Sequence, residues 1–261
     1  MKVIDSFNAA IERSEHLLAL YHIVCDTRQR DVRSDWAKRF KTHMQWPDKE
    51  RIVRIDGKAK NSLLILREAV GVSRDQFAHA YCSELLRAAV VSGVSALDRY
   101  VHDLVTEDCL KILRRKEVDI PKDFKKLQVS IVSVDRAIKH AKSKDGSRPG
   151  YLVKKAIQDL LHRQYTFQGP HDMDQAFALL GLKDFWRKIS TKMREKPPVN
   201  ELRRRLGEIA RRRNQIVHEA DVVKQTKARR VMLRDIHVSD AEATVRWLKS
   251  YVYALDTAYH A

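Results

Sequence analysis

Apolar residues return every three or four positions through most of this chain, which is the period of an amphipathic helix. Over residues 3–25, Ile4, Phe7, Ile11, Ser14, Leu18 and Tyr21 step at that spacing, with Leu17 and Leu20 beside them. A polar stretch from Asp26 to Arg33 leads to a second segment, Asp35 to Met44. Trp46-Pro47 ends it, because the residue before a proline avoids the α region. Arg51 to Ala69 reads as another helix despite Gly57, on the pattern Leu63, Leu64, Leu66 and Val70. Gly71 suits the position just past its end.

Ser73, with Gln76 three residues on, forms a capping-box start for a long helix from Arg74 to Arg115. Leu86, Val90, Val94, Leu97, Val101, Leu104 and Val105 mark its buried stripe. The valines favour strand locally, but the length of the period decides for helix. Ser92, Gly93 and Ser95 are small enough to admit a second helix closely. Pro121 opens a segment in which Phe124, Leu127, Ile131, Val134 and Ile138 step through to Ala141. The run from Lys142 to Gly150 is the strongest loop signal. Tyr151 to Tyr165 carries Leu152, Ala156, Leu160 and Leu161 inward. Gly169-Pro170 turns the chain, and Asp172 or Asp174 caps a short helix ending at Gly181. Phe185 to Arg194 follows. Ser239 or Asp240 caps a last helix whose inner face is Val245, Leu248, Val252 and Leu255. Nothing reads as a well-formed sheet. The expected fold class is all-α, an antiparallel helical bundle over residues 71–261 with an additional N-terminal helical region over residues 1–70.

One stretch departs from simple amphipathicity. Asn200 to Asp221 is a single expected helix, capped at Asn200 and isolated by Pro197 and Pro198. At about 100° per residue, Leu202, Leu206, Ile209, Ile216, Val217 and Ala220 share one stripe. Arg213 falls in the middle of it, where a leucine is expected. A guanidinium there is costly unless it is paired or faces a polar cleft. Asn214 and His218, four apart, share the adjoining line. Histidine trades protons near neutrality, arginine stabilises phosphoryl oxygens, and an amide orients. That set suits cleavage of RNA by attack of its own 2′-hydroxyl, with no metal or other cofactor.

Composition sharpens this picture. The chain has 261 residues, 44% hydrophobic and 33% charged, with a formal net charge of +17. A charge that large favours a polyanionic partner, nucleic acid before an anionic membrane surface. Arg203, Arg204, Arg205, Arg211 and Arg212, then Lys224, Lys227, Arg229 and Arg230, form the densest basic cluster, and Arg203, Arg204, Arg211, Arg212, Lys227, Arg229 and Arg230 are the expected phosphate contacts within it. Asp98 and His102, four apart on the long helix, divide evenly between a surface pair and a supporting role beside His218.

Other chemistries find little support. Cys25, Cys82 and Cys109 are odd in number and lack a CxxC pairing, so neither a disulfide framework nor a zinc knuckle is expected. A reducing cytoplasm fits them. His218-Glu219 begins an HExxH string, but Val222 stands where its second histidine belongs. His171, Asp172 and Asp174 read as turn and cap residues. The most apolar run, Ala88 to Leu97, is shorter than the roughly 20 residues a bilayer requires, so no membrane partner is expected.

The six residues Arg213-Asn214-Gln215-Ile216-Val217-His218 resemble the RNxxxH form of the Rx4–6H motif of HEPN domains. The helix containing SALDRYVHDLV, and a final helix after a basic connector, resemble the RiboL-PSP-type branch over Ser73 to the C-terminus. The resemblance implies a helical bundle that homodimerises and brings two motifs into one cleft. It implies metal-independent endoribonuclease activity, in a toxin–antitoxin or antiphage setting with an antitoxin or defence-system partner. His218 then transfers protons, Arg213 binds the phosphate and Asn214 positions it. Family members controlled by nucleotidylation carry a tyrosine two residues past the histidine. Here that residue is Ala220. The competing readings are a non-catalytic HEPN-like module binding RNA or protein, and a DNA-binding helical protein.

Overall fold

A computed structural model of the chain describes residues 2–25, 27–30, 32–57, 62–71, 74–142, 149–223 and 232–261. Ser73, Asp26, most of the Lys142–Gly150 loop and Lys224 to Arg230 of the connector lie outside the described residues. The fold is mostly helical. Its elements in chain order are α1 (Val3–Val24), β1 (Arg28–Arg30), α2 (Ser34–His43), β2 (Ile52–Asp56), β3 (Leu63–Arg67), α3 (His79–Leu113), α4 (Lys122–Lys125), α5 (Ile131–Lys142), α6 (Pro149–Gln164), α7 (Pro170–Leu180), α8 (Phe185–Lys192), α9 (Val199–His218) and α10 (Val238–His260).

The axis is α3. Every residue of its expected stripe is buried, from Leu86 to Val105. It packs against α1 and α10 at a close three-helix crossing on Gly93. A Cβ at Gly93 would stand 3.1 Å from Leu248 Cδ1 and 3.6 Å from Ser14 Oγ. The absence of a side chain there sets the approach. Phe7, Ile11, Ser14, Leu18 and Tyr21 face this crossing from α1, and Val245, Leu248, Val252 and Leu255 from α10. Polar contacts on the rim fix the register of the three helices. Tyr100 donates to Asp256 at 2.8 Å, Lys249 to Glu15 at 2.6 Å and Tyr253 to Asn8 at 2.9 Å. The core therefore runs through α1, which lies in the region read from sequence as an additional N-terminal helical region. By length and composition α3 is apolar enough to cross a membrane, but 56% of its apolar window is buried inside this fold.

Residues 51–69 do not form the helix expected from sequence. They form β2 and β3, which pair antiparallel from Ile52↔Arg67 to Asp56↔Leu63, with β1 on the other edge of β2. The physical reason is a period of two. Val53 and Ile55 alternate with Arg54 and Asp56, and β-branched residues suit the pleat. Arg54 Nε donates to Asp56 Oδ1 at 2.7 Å, a contact between positions two apart that a strand allows and a helix does not. Ile55 is fully buried and seats the sheet.

The segment after Pro121 also differs from expectation. It splits into α4 and α5, and Ile131, Val134 and Ile138 are exposed, while Phe124 and Ala137 are buried. Helix α7 starts at Gly169, whose N–H donates to Asp172 at 2.9 Å, and ends on Gly181 at φ 73°. Asp172 thus takes the capping role. Asp174 does something else. Arg203 of α9 forks onto it with two bonds of 2.7 Å, and Trp186 Nε1 of α8 donates to it at 2.7 Å. The Arg203 guanidinium also lies 4.9 Å over the Trp186 ring. Three helices meet on one carboxylate.

Bonding from Arg203 holds the Asp174 carboxyl below its ordinary range, against the opposing effect of partial burial, and Trp186 adds to the lowering. A carboxylate whose folded pKa is depressed stabilises the fold above its unfolded pKa of about 3.9 and loses that contribution as pH falls through the folded value. Asp174→Asn is expected to cost about 1 kcal/mol at neutral pH, a figure discounted for solvent because the pair is 36% and 40% exposed. The difference between wild type and variant in urea unfolding should shrink as pH falls below the ordinary carboxylate range. A difference independent of pH would contradict the assignment.

Candidate functional site

Helix α9 is anchored in its first half. Leu202, Leu206 and Ile209 are buried, and Gly207 lies under Pro170 at 3.5 Å from an added Cβ. Beyond Ile209 the apolar stripe leaves the core. Ile216 is half-buried, and Val217 is 44% exposed. Something other than apolar burial has to hold the end of the helix.

That role falls to Asp221, which is 1% exposed. Its Oδ2 accepts from Arg87 Nε at 2.6 Å and from Arg212 Nη2 at 2.9 Å, and its Oδ1 accepts from Arg212 Nη1. Arg87, also buried, donates in addition to Ser83 Oγ and to the Arg234 carbonyl, each at 2.7 Å. The main chain closes around the same point. The Asp221 N–H donates to the Gln215 carbonyl at 2.9 Å, the Arg234 N–H donates to the Asp221 carbonyl at 2.8 Å, and Val222 bridges Leu233. Ala220 and Asp221 turn the chain with φ of 48° and 54°, a conformation that aspartate tolerates better than most residues. One carboxylate ties α3, α9 and the returning chain together.

On the exposed side of the same end, Arg213 Nη1 donates to Asn214 Oδ1 at 3.1 Å and lies 3.3 Å from His218 Nε2. A guanidinium has donors only, so in this contact Nε2 stands as the acceptor. Arg213 Nε is shut off from water and has no partner among the described residues. Leaving such a donor unpaired costs about 1–3 kcal/mol. Arg213, Asn214 and His218 thus stand together as one hydrogen-bonded group, with donor capacity held in reserve.

Residues 58–260 match the RiboL-PSP-HEPN family. The chain belongs to that family. No curated protein and no solved structure matches it. HEPN domains are often ribonucleases or RNA-binding modules, and membership places this chain at that level. The match takes in β3, α3, α9 and α10 and begins downstream of α1, even though α1 fills the same core.

Around the Arg213–His218 group the other expected residues fare differently. Arg211 is exposed and has no ion-pair partner among the described residues, and Arg204 is exposed and paired with Glu208. Arg203 and Arg212, read from sequence as phosphate contacts, are each paired with a carboxylate of the same chain, the part-exposed Asp174 and the buried Asp221. Their geometry serves the fold. Lys227, Arg229 and Arg230 lie outside the described residues.

Asp98 and His102 are not brought to His218. Helix α3 passes the His218 end at Arg87, and His102 comes fifteen residues later, about 22 Å along the axis. There Asp98 accepts from the Phe167 N–H at 2.5 Å and from Gln168 Nε2 at 3.4 Å. His102 stacks on His162 with centroids 4.4 Å apart and tilts against Phe167 at 4.6 Å. The pair fastens the chain after α6 to α3. Burial lowers the His102 pKa, Asp98 opposes the fall and His162 adds to it.

The three cysteines are buried, and burial pushes the Cys109 thiol up to about 11, so it stays protonated at neutral pH. Among the described residues no group of three or more His, Cys, Asp or Glu side chains is placed to hold a metal ion. The residues that sequence reasoning missed are Arg87 and Asp221. A signal for Arg87 existed: Ser83, Arg87, Val90 and Val94 lie on one helical line, so Arg87 interrupts an apolar face just as Arg213 does.

Removing one partner from a buried ion pair leaves the other uncompensated, at about 3–5 kcal/mol. Asp221→Asn, which keeps the side-chain shape, is expected to lower unfolding stability by about 3 kcal/mol in urea titration. Arg213→Ala should change it by less than about 1 kcal/mol. An unshifted midpoint for Asp221→Asn would contradict the role given to this carboxylate.

Proposed function

We propose that this HEPN domain is a metal-independent endoribonuclease, with Arg213, Asn214 and His218 as its reacting group. The observation that carries the proposal is that Arg213 contacts both Asn214 and His218 at the exposed end of α9. In the proposed reaction His218 Nε2 takes the proton of the ribose 2′-hydroxyl. The 2′-oxygen forms a bond to the adjacent phosphorus, and the bond from phosphorus to the 5′-oxygen breaks. The leaving oxygen acquires a proton, giving a 2′,3′-cyclic phosphate and a 5′-hydroxyl. Arg213 swings from Nε2 onto the non-bridging oxygens, which frees the base and satisfies the guanidinium at once. Asn214 holds the phosphate in line.

A homodimer supplies the second imidazole as acid for the leaving group. Support comes from the exposed apolar side chains at this end, Val217 on α9 and Met232 and Leu233 on the return. An RNA-cutting dimer of this kind serves as a toxin or antiphage effector restrained by an antitoxin or defence-system protein. The alternative is a non-catalytic RNA- or protein-binding module. It is favoured by one observation, that Arg213 already caps the nitrogen that catalysis needs.

Single-turnover RNA cleavage in the presence of EDTA separates the two. His218→Ala and Arg213→Ala are each expected to slow it by at least about 100-fold, with cyclic phosphate on the wild-type product. Equal activity in both variants, or a 3′-hydroxyl product, would overturn the proposal. Binding without cleavage by an intact dimer would support the alternative.

A further inference from the structure

Helix α2 has no buried residue. Its side chains contribute little to the core, yet they are not arranged at random. Trp36 is 41% exposed and stacks on Phe40 with ring centroids 4.9 Å apart and planes 15° from parallel. Phe40 is braced from behind by the edge of Trp46 at 5.6 Å, and Trp46 is covered in turn by Arg67 at 5.7 Å. The indole is therefore the outermost ring of a supported stack.

Charge around it is sorted. On the sheet, Arg30 and Arg54 pair with Asp56, Arg51 with Glu68 and Arg67 with Glu50. On α2, by contrast, Arg33, Lys38 and Arg39 are exposed and have no ion-pair partner among the described residues. Arg33 is the N-cap that leads into α2, three residues before Trp36, and Arg39 lies three residues past it on the helix, so the indole stands between two exposed guanidiniums along the chain. A flat aromatic surface flanked by cations at that spacing fits a nucleotide, with the base continuing the stack and the phosphates on either side meeting the arginines. Bases in a duplex are already stacked and cannot reach it.

We infer that α2 is a stacking platform for unpaired RNA, with Trp36 as the base contact and Arg33 and Arg39 as the phosphate contacts. This rests on the RNA reading proposed above and adds a substrate class, single-stranded segments, and a second place where the strand is held. The test uses wild-type chain and a short, labelled 2′-O-methyl oligonucleotide. That probe has no free 2′-hydroxyl to attack with, so binding is read apart from cleavage.

Base–aromatic stacking is worth about 1–3 kcal/mol per base, so Trp36→Ala should weaken single-strand binding about tenfold. Trp36→Phe should retain most of the affinity, and binding of the matching duplex should not respond to either change. Equal single-strand affinity for Trp36→Ala and wild type would overturn the inference. So would loss of the dimer in Trp36→Ala with RNA binding intact, since the face would then be a protein contact. Trp36-dependent binding by a chain that leaves unmodified RNA uncut would uphold the platform while removing the nuclease reading.

Discussion

Two guanidiniums converge on one carboxylate inside this protein, and the end of α9 depends on that contact. Burying ions is expensive, and a well-packed apolar substitute is often as stable. An apolar plug, however, would pull the end of α9 into the core. The Asp221 contact with Arg87 and Arg212 instead braces the helix from one side and the returning chain from the other. Arg213, next in sequence to Arg212, can then sit on a stripe position without being packed over. Its free Nε and its contact with His218 follow from that arrangement.

The rest of the architecture supplies rigidity to this brace. Arg87 belongs to the helix on which α1 and α10 close at Gly93, so one anchor of the carboxylate is fixed by the main core. Arg212 belongs to α9, whose opposite end is fixed by Arg203, Asp174 and Trp186. Two carboxylates, one at each end, thus hold a single helix whose fully buried apolar residues stop at Ile209. The sheet and α2 stand apart from this scheme, and no residue of α2 is buried.

Helical periodicity carried most of the fold. The stripes of α1, α3 and α10 are buried as their spacing requires, because long helices against one core leave little choice of face. The short apolar run in β2 and β3 was misread because Leu63, Leu64 and Leu66 suit either period, and only the alternation at Val53 to Asp56 separates them. The contact of Arg213 with Asn214 and His218 was legible because its members are local, within one and a half turns of helix. Asp221 was not. Its partner Arg87 lies 134 residues away, and no local pattern reports a pairing across that distance. The same limit explains Asp98 and His102: spacing put them on one face, but which loop that face meets is a tertiary fact.

The central claim is that the RNA's own 2′-oxygen is the attacking atom at the Arg213–His218 group. It is tested most directly by replacing one ribose, at a mapped cut, with 2′-deoxyribose. The account predicts that cleavage at that bond disappears while neighbouring sites and binding are unaffected. Undiminished cleavage at the deoxy position would contradict it.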